Sequence, residues 1–215
     1  MAPPARVWAI VVAAGRGERF GGAKQRQLIG GRSVVERSVA TAREVCDGVV
    51  VVLPQGDVLP VPEADVTVPG GETRSASVRA GLAAVPLEAE VIVVHDAARP
   101  LAGADLWHAA IDAIRRGADA ALCAVPVTDT VKRVDGERVV ATVDRGELVA
   151  VQTPQAFRAA ILRRAHDGGR DATDDGALVE AAGGTVVVVP GSPANLKITH
   201  PHDVVIAEAL LEASP

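Results

Sequence analysis

Aromatic residues are almost missing from this 215-residue chain. Trp8, Phe20, Trp107 and Phe157 are the full set, and there is no tyrosine. Readers of single-stranded nucleic acid stack bases on aromatic platforms, which this chain cannot supply in number. A net charge of −5 gives no overall basic character to offset a polyphosphate backbone, so nucleic acid is excluded as the main partner. Cysteine is as scarce. Cys46 and Cys123 lie far apart and in no CxxC pair, which rules out a disulfide framework or a zinc ribbon. Both read as reduced core thiols of a cytoplasmic protein. Lysine is limited to Lys24, Lys132 and Lys197, against nineteen arginines. The few lysines draw notice because a compact ammonium does what a planar guanidinium cannot. Membrane-length apolar runs are also missing. Arg6 followed by Val7 to Ala14 has the outline of a secretory signal, but the run is too short to span a bilayer and reads as a buried strand.

What remains is 48% hydrophobic and 23% charged, the mix of a globular domain with a core of Val, Ala, Ile and Leu. One domain over residues 1–215 is expected. Continuous apolar runs at Val7–Ala13, Val49–Leu53, Val91–His95, Ala120–Val125 and Thr185–Val189 suit strands covered on both faces. Helical patterns alternate with them at Ser33–Val45, Thr73–Ala84, Ala104–Arg116, Ala159–His166, Asp174–Ala182 and Pro201–Leu211. Ser33 and Glu36 have capping-box spacing. The alternation predicts an α/β fold, Rossmann-like, with a mostly parallel twisted sheet flanked by helices. Pro54 to Pro69 reads as a loop-rich stretch. One segment breaks the pattern. Thr130–Val134 and Arg138–Val143 flank Asp135-Gly136, a strong hairpin signal. A lone two-stranded ribbon is barely stable in water. The arm at about 126–147 is therefore expected to protrude and pack on a second copy of the chain.

The first strand runs into Ala13-Ala14-Gly15-Arg16-Gly17-Glu18-Arg19-Phe20-Gly21-Gly22-Ala23-Lys24. Small residues at a strand's carboxyl end let a ligand approach the backbone, whose N–H groups can cradle phosphate. A dinucleotide fingerprint fails at Phe20, and no acidic residue ends the second strand. A P-loop fails because Ala23-Lys24-Gln25 follows Gly22. The nucleotidyltransferase pattern AAGxGxR followed by Lys is complete. Gly70-Gly71-Glu72-Thr73-Arg74 then opens a helix with Ser75 and Ser77 in its first turns, an arrangement that favours anions or polar base edges. The third strand ends in His95-Asp96-Ala97-Ala98-Arg99-Pro100. A carboxylate there sits where open α/β sheets bind ligands, and Asp96 could hold a Mg²⁺ that bridges phosphate oxygens.

The ordered set AAGRGERFGGAKQ, GGETRSASV, HDAARP, DTVKRV, TVDRGELVAVQTPQAF, DATDDGALVE and NLKIT resembles the 2-C-methyl-D-erythritol 4-phosphate cytidylyltransferase family, from about Val7 to Leu211. That family joins CTP to a methylerythritol phosphate and releases pyrophosphate in the non-mevalonate isoprenoid pathway. The resemblance implies nucleotide contacts from Ala13, Ala14, Gly15, Arg16, Gly17, Gly71, Glu72, Arg74, Ser77, Asp96 and Ala97. It implies Mg²⁺ on Asp96, and catalytic roles for Arg19, Lys24, Arg145 and Lys197. It implies substrate contacts from Asp96, Arg99, Thr130, Arg145, Thr153, Thr173 and Lys197. The hairpin would be a dimerisation arm, so Thr130 and Arg145 would act across a homodimer. Departures from the usual pattern are Ala23, where Pro is common, Arg26, where Tyr is usual, Glu72, often Asp, and a slightly short glycine loop.

The chemistry of the residues agrees with that reading. A substrate phosphate is already an anionic nucleophile, so no general base is required, and no Ser-His-Asp or Cys-His set is evident. Cations and a divalent metal must neutralise charge on the α-phosphate and the leaving pyrophosphate. Other features read more plainly. His200 and His202 lack a third metal ligand. His95 reads as a strand-end histidine bonded locally. Asp174-Asp175 favours a helix start, and Arg163-Arg164 a solvated helix face. Two competing functions stay open at this point. One is the same transfer to another acceptor such as ribitol 5-phosphate. The other is a non-catalytic nucleotide sensor, which would have no reason to keep Arg19, Lys24, Asp96 and Lys197 together.

Overall fold

The structure, a computed structural model, describes residues 6–15, 17–57 and 60–213. In chain order the elements are β1 (Val7–Val12), β2 (Leu28–Ile29), β3 (Arg32–Ser33), α1 (Val34–Val45), β4 (Gly48–Leu53), β5 (Val66–Pro69) and α2 (Arg74–Ala84). Then come β6 (Val91–Asp96), α3 (Ala104–Arg115), β7 (Ala120–Pro126), β8 (Val131–Asp135), β9 (Arg138–Val143), β10 (Val149–Arg158), α4 (Ala159–His166), α5 (Asp175–Ala181), β11 (Val186–Pro190) and α6 (His202–Glu212).

Among the described residues seven strands form the central sheet in the order β11-β7-β10-β6-β1-β4-β5. β1, β4, β5 and β6 run parallel, as do β7 and β11. β10 lies antiparallel between β6 and β7. Alternation along the valine runs explains the two cores. Ala9, Val11, Val49, Val51, Val91 and Val93 meet α1 and α3 through Val35, Val39, Trp107 and Ile111. Ile10, Val50, Val52, Ile92 and Val94 meet α2, α4 and α5 on the other face through Val78, Leu82, Leu162 and Val179. Strands covered on both faces need no polar face, which is why they are nearly unbroken Val. Gly81 on α2 lets the helix approach the sheet, since a Cβ there would lie 2.5 Å from Ile10 Cγ2.

Ser33 caps α1 as its spacing predicts. Its Oγ accepts the Glu36 N–H at 3.3 Å, and Glu36 Oε2 accepts the Ser33 N–H at 2.9 Å. Cys46 and Cys123 are free and buried. Burial, with Asp47 near one and Asp105 near the other, pushes both thiols up to about 12. Among the described residues no helix is long and apolar enough to cross a membrane.

Three details differ from expectation. β5 lies inside the stretch read as loop, as a short, mostly exposed strand beside β4. β10 is a ten-residue strand, hidden in the sequence by Pro154, which cannot donate to a ladder. Its register with β7 shifts between Val151 and Gln155, where the proline is accommodated. Arg163 is not a solvated face. It donates to the carbonyls of Leu82 (2.9 Å), Val85 (3.0 Å) and Pro86 (3.1 Å), and so ties α4 to the end of α2.

Among the described residues the hairpin forms its own two-stranded sheet and pairs with no strand of the main one. Asp135 pairs with Arg138, so Gly136-Glu137 makes the turn, with Gly136 at φ +57°. A bulge near Val134 shifts the register. Val134, Val139 and Val140 stand about half exposed on it, at 56, 55 and 49%.

Candidate active site

Four segments meet beyond the carboxyl ends of β1, β4 and β6, where open α/β sheets bind ligands. The glycine loop is the first. Ala13 N–H donates to Val52 O at 2.8 Å, which pins the loop's start to β4. Gly17 has φ +67°, and its carbonyl accepts the N–H groups of Phe20, Gly21 and Gly22. A Cβ at Gly17 would overlap the Gly22 carbonyl oxygen, so only glycine lets the loop fold back here. The loop delivers Lys24 at the head of a 3₁₀ turn, with Nζ donating to Ile198 O at 3.2 Å. Burial, and after it the neighbouring Lys197, lowers the Lys24 pKa below its ordinary value.

The second segment is the start of α2. Thr73 Oγ1 accepts the Ala76 N–H at 3.0 Å, and Ser77 Oγ accepts the Gly71 N–H at 3.2 Å while donating to Thr73 O. This closes the Gly71–Ser77 turn on itself at the cavity rim.

Asp96, ending β6, is the third. Its carboxylate accepts Arg74 Nε–H at 3.0 Å on Oδ1 and Lys197 Nζ–H at 2.6 Å on Oδ2. Burial acts to raise its pKa, but Arg74 and Lys197 outweigh that and hold it below the usual carboxylate range. A chain of neutral groups lies behind it. His95 Nε2 faces the Arg99 carbonyl at 3.2 Å, and a carbonyl only accepts, so Nε2 carries the proton. Nδ1 then accepts from the Thr153 hydroxyl at 3.2 Å, and Thr153 Oγ1 accepts the Asp96 N–H at 3.0 Å. Burial pushes the His95 pKa down to about 4. This is the locally bonded histidine the sequence suggested.

The fourth segment carries Lys197. Asn195 Nδ2 donates to Thr153 O at 2.9 Å and to Gln152 Oε1 at 3.1 Å, and Arg99 Nη1 donates to Asn195 O at 2.7 Å. Ile198 N–H donates to Ala98 O at 2.7 Å. The loop is thereby fixed to both β10 and the Asp96–Arg99 turn.

These segments enclose two cavities. One, of about 630 Å³, is lined by Ala13, Ala14, Gly15, Gly17, Arg19, Lys24, Gly71, Glu72, Arg74, Ser77, Asp96, Ala97 and Lys197. The other, of about 430 Å³, is lined by Arg74, Asp96, Arg99, Thr153, Thr173 and Lys197, together with Gln155, Asp174 and Glu180. Arg74, Asp96 and Lys197 form a wall common to both. Two residues from the sequence reading stand apart. Thr130 and Arg145 lie exposed at the arm and line neither cavity, and Arg145 donates to Thr128 O within its own chain. Arg16 lies outside the described residues.

Sequence reasoning missed what stands behind Arg74. Asp174 is the helix cap, accepting the Ala177 N–H at 3.0 Å, as expected of an acidic pair at a helix start. Asp175 is different. Fully buried, it accepts Arg74 Nη1–H at 2.7 Å on Oδ2 and His166 Nε2–H at 3.0 Å on Oδ1. Burial acts to lower the Arg74 pKa, and Asp96 and Asp175 together raise it instead. No spacing in the sequence separates a cap from a buried partner when two aspartates are adjacent.

The profile of the IspD family, described as 2-C-methyl-D-erythritol 4-phosphate cytidylyltransferase, matches residues 7–213. The chain belongs to the IspD family. Among IspD relatives, the 2-C-methyl-D-erythritol 4-phosphate cytidylyltransferase of Streptomyces coelicolor is 47% identical over 231 residues, covering 97% of this chain and 86% of its own. A bifunctional IspD/IspF enzyme of Anaeromyxobacter dehalogenans is also 47% identical, but the match covers 58% of its length. The crystal structure of the Thermus thermophilus cytidylyltransferase superposes with a TM-score of 0.83 at 38% identity, covering 95% of this chain and 98% of that one. The IspD match thus takes in every segment of both cavities, from the glycine loop to Lys197.

Proposed function

We propose that this chain transfers CMP from CTP to the phosphate of 2-C-methyl-D-erythritol 4-phosphate, giving CDP-methylerythritol and pyrophosphate. The observation that carries this reading is the shared wall. Two cavities of ligand size meet at Arg74, Asp96 and Lys197, as a reaction between two bound anions requires.

In the reaction an acceptor phosphate oxygen attacks the α-phosphorus of CTP. The new P–O bond forms as the bond to the bridging oxygen breaks, and pyrophosphate leaves with that electron pair. No proton need be removed from the nucleophile. The chain's work is to hold two anions in line and to neutralise charge as it builds. Arg19 and Lys24 flank the nucleotide cavity, and Lys197 stands between the two. Arg99 and Thr173 offer donors to the acceptor, while Thr153 lines the same cavity with its hydroxyl proton committed to His95. Neutral His95 keeps the Thr153 hydroxyl and the Asp96 backbone aligned.

Asp96 would hold Mg²⁺. Its carboxylate is a hard oxygen donor on the nucleotide cavity, and among the described residues no group of three His, Cys, Asp or Glu could cage a metal alone. One carboxylate completed by phosphate oxygens and water is the usual Mg²⁺ arrangement. Bound there, the ion would screen phosphate charge. The protein works as a homodimer in the cytoplasm, with Thr130 and Arg145 of each arm reaching the partner's acceptor cavity. The apolar exposure of the hairpin and the two buried thiols support these two points.

Pyrophosphate release from CTP and Mg²⁺, with methylerythritol phosphate and ribitol 5-phosphate in parallel, tests the reading. Release with methylerythritol phosphate alone is expected. Release with ribitol 5-phosphate alone would overturn the acceptor. Silence with both, from folded protein that binds CTP, would leave a nucleotide-binding module.

A further inference from the structure

Arg74 is held by two carboxylates of unlike surroundings. Asp96 lines both cavities, whereas Asp175 is fully buried and lines neither. A carboxylate taken wholly out of water is costly unless both oxygens are paired. Both are: Oδ2 by Arg74 and Oδ1 by His166, itself buried. The fork geometry of the guanidinium means that fixing Nη1 on Asp175 sets the direction of Nε, the atom that meets Asp96. The neighbouring loop adds further hold. Thr73 Oγ1 donates to Asp171 at 2.9 Å, and the Ala172 N–H donates to Ser75 Oγ at 3.2 Å, clamping the start of α2 to the approach of α5.

The charges complete the argument. Arg74 and Lys197 are two cations on Asp96. Asp175 gives Arg74 a carboxylate of its own, so the two cations do not depend on Asp96 alone. Without Asp175, Arg74 would keep Asp96 as its one carboxylate partner, the same carboxylate to which a divalent cation would come.

We propose that Asp175, seated by His166, is a positioning residue that holds Arg74 at the common wall and leaves the Asp96 carboxylate able to accept the nucleotide's divalent cation. This rests on the reading of the large cavity as the CTP site. When that ligand arrives and draws on the Asp96 oxygens, Asp175 keeps Arg74 from following or collapsing onto them.

Calorimetric titration of the full chain with CTP and Mg²⁺, without acceptor, is the test. Asp175→Asn is expected to weaken binding roughly 10- to 100-fold, the usual range for a lost outer partner of a metal site. In an Arg74→Met background the same change should cost less than about twofold, since it acts through Arg74. A merely structural aspartate would cost the same in both backgrounds, and that result overturns the inference. So does unchanged affinity in Asp175→Asn. If Asp175→Asn does not fold, His166→Phe replaces it. It should weaken binding a few-fold in the native background and not in Arg74→Met, and equal loss in both sinks the idea. Failure of the unaltered chain to bind CTP overturns the function reading and this inference together. Binding by the unaltered chain with no dependence on Asp175 overturns the inference alone.

Discussion

At the residue scale the site is a set of charges placed by neutral groups. His95 shows how. It sits one position before Asp96, is fully buried, and works as a spacer between Thr153 and the Arg99 carbonyl. Its pKa falls from 6.5 to about 4 because burial disfavours the charged ring. Between those values the unfolded chain binds the extra proton and the folded chain does not. Unfolding free energy therefore rises with pH through this window and is lost as pH falls from 6.5 toward 4. Asp96, held low, contributes at more acidic pH, below the ordinary carboxylate value, so the two effects separate. Denaturant titrations at pH 7 and pH 5 should show His95→Gln losing less stability between the two than the unaltered chain. Equal losses would mean that His95 is not neutral in the fold.

At the element scale, local signals and tertiary packing divide the work. β1, β4 and β6 were legible because a strand buried on both faces must be apolar at every position. α1 was legible to its first residue because a capping box is a spacing rule. Replacing Ser33 with Ala should cost about 1 kcal/mol, read as a lower denaturation midpoint with unchanged slope. A change below about 0.3 kcal/mol would mean that packing of Val35 and Val39, not the cap, sets where α1 begins. β10 was not legible, since Pro154 argues against a central strand and only the bulge beside it resolves the conflict. The same divide holds at the site. The glycine loop, Asp96 and Lys197 announce themselves by type and order. Asp175 and His166 do not, because their roles come from partners 9 to 101 residues away along the chain.

At the scale of the whole molecule, the arm leaves two residues of the sequence reading away from the cavities of their own chain. A homodimer in which arms are exchanged would make each site from two chains. Lys24→Ala and Arg145→Ala proteins should each lose roughly 10²–10³ in turnover, the scale of a single lost charge-stabilising donor. Mixed in equal amounts and allowed to exchange, they should regain about a quarter of full activity, because half of the random dimers carry one intact site out of two. No recovery despite demonstrated exchange would mean that each arm serves its own chain. The common wall carries one more consequence. Arg74, Asp96 and Lys197 face two compartments at once, so occupation of either side alters the surface offered to the other. Thermodynamics makes that influence mutual. Whatever factor the nucleotide imposes on the affinity of the acceptor, the acceptor returns unchanged to the nucleotide.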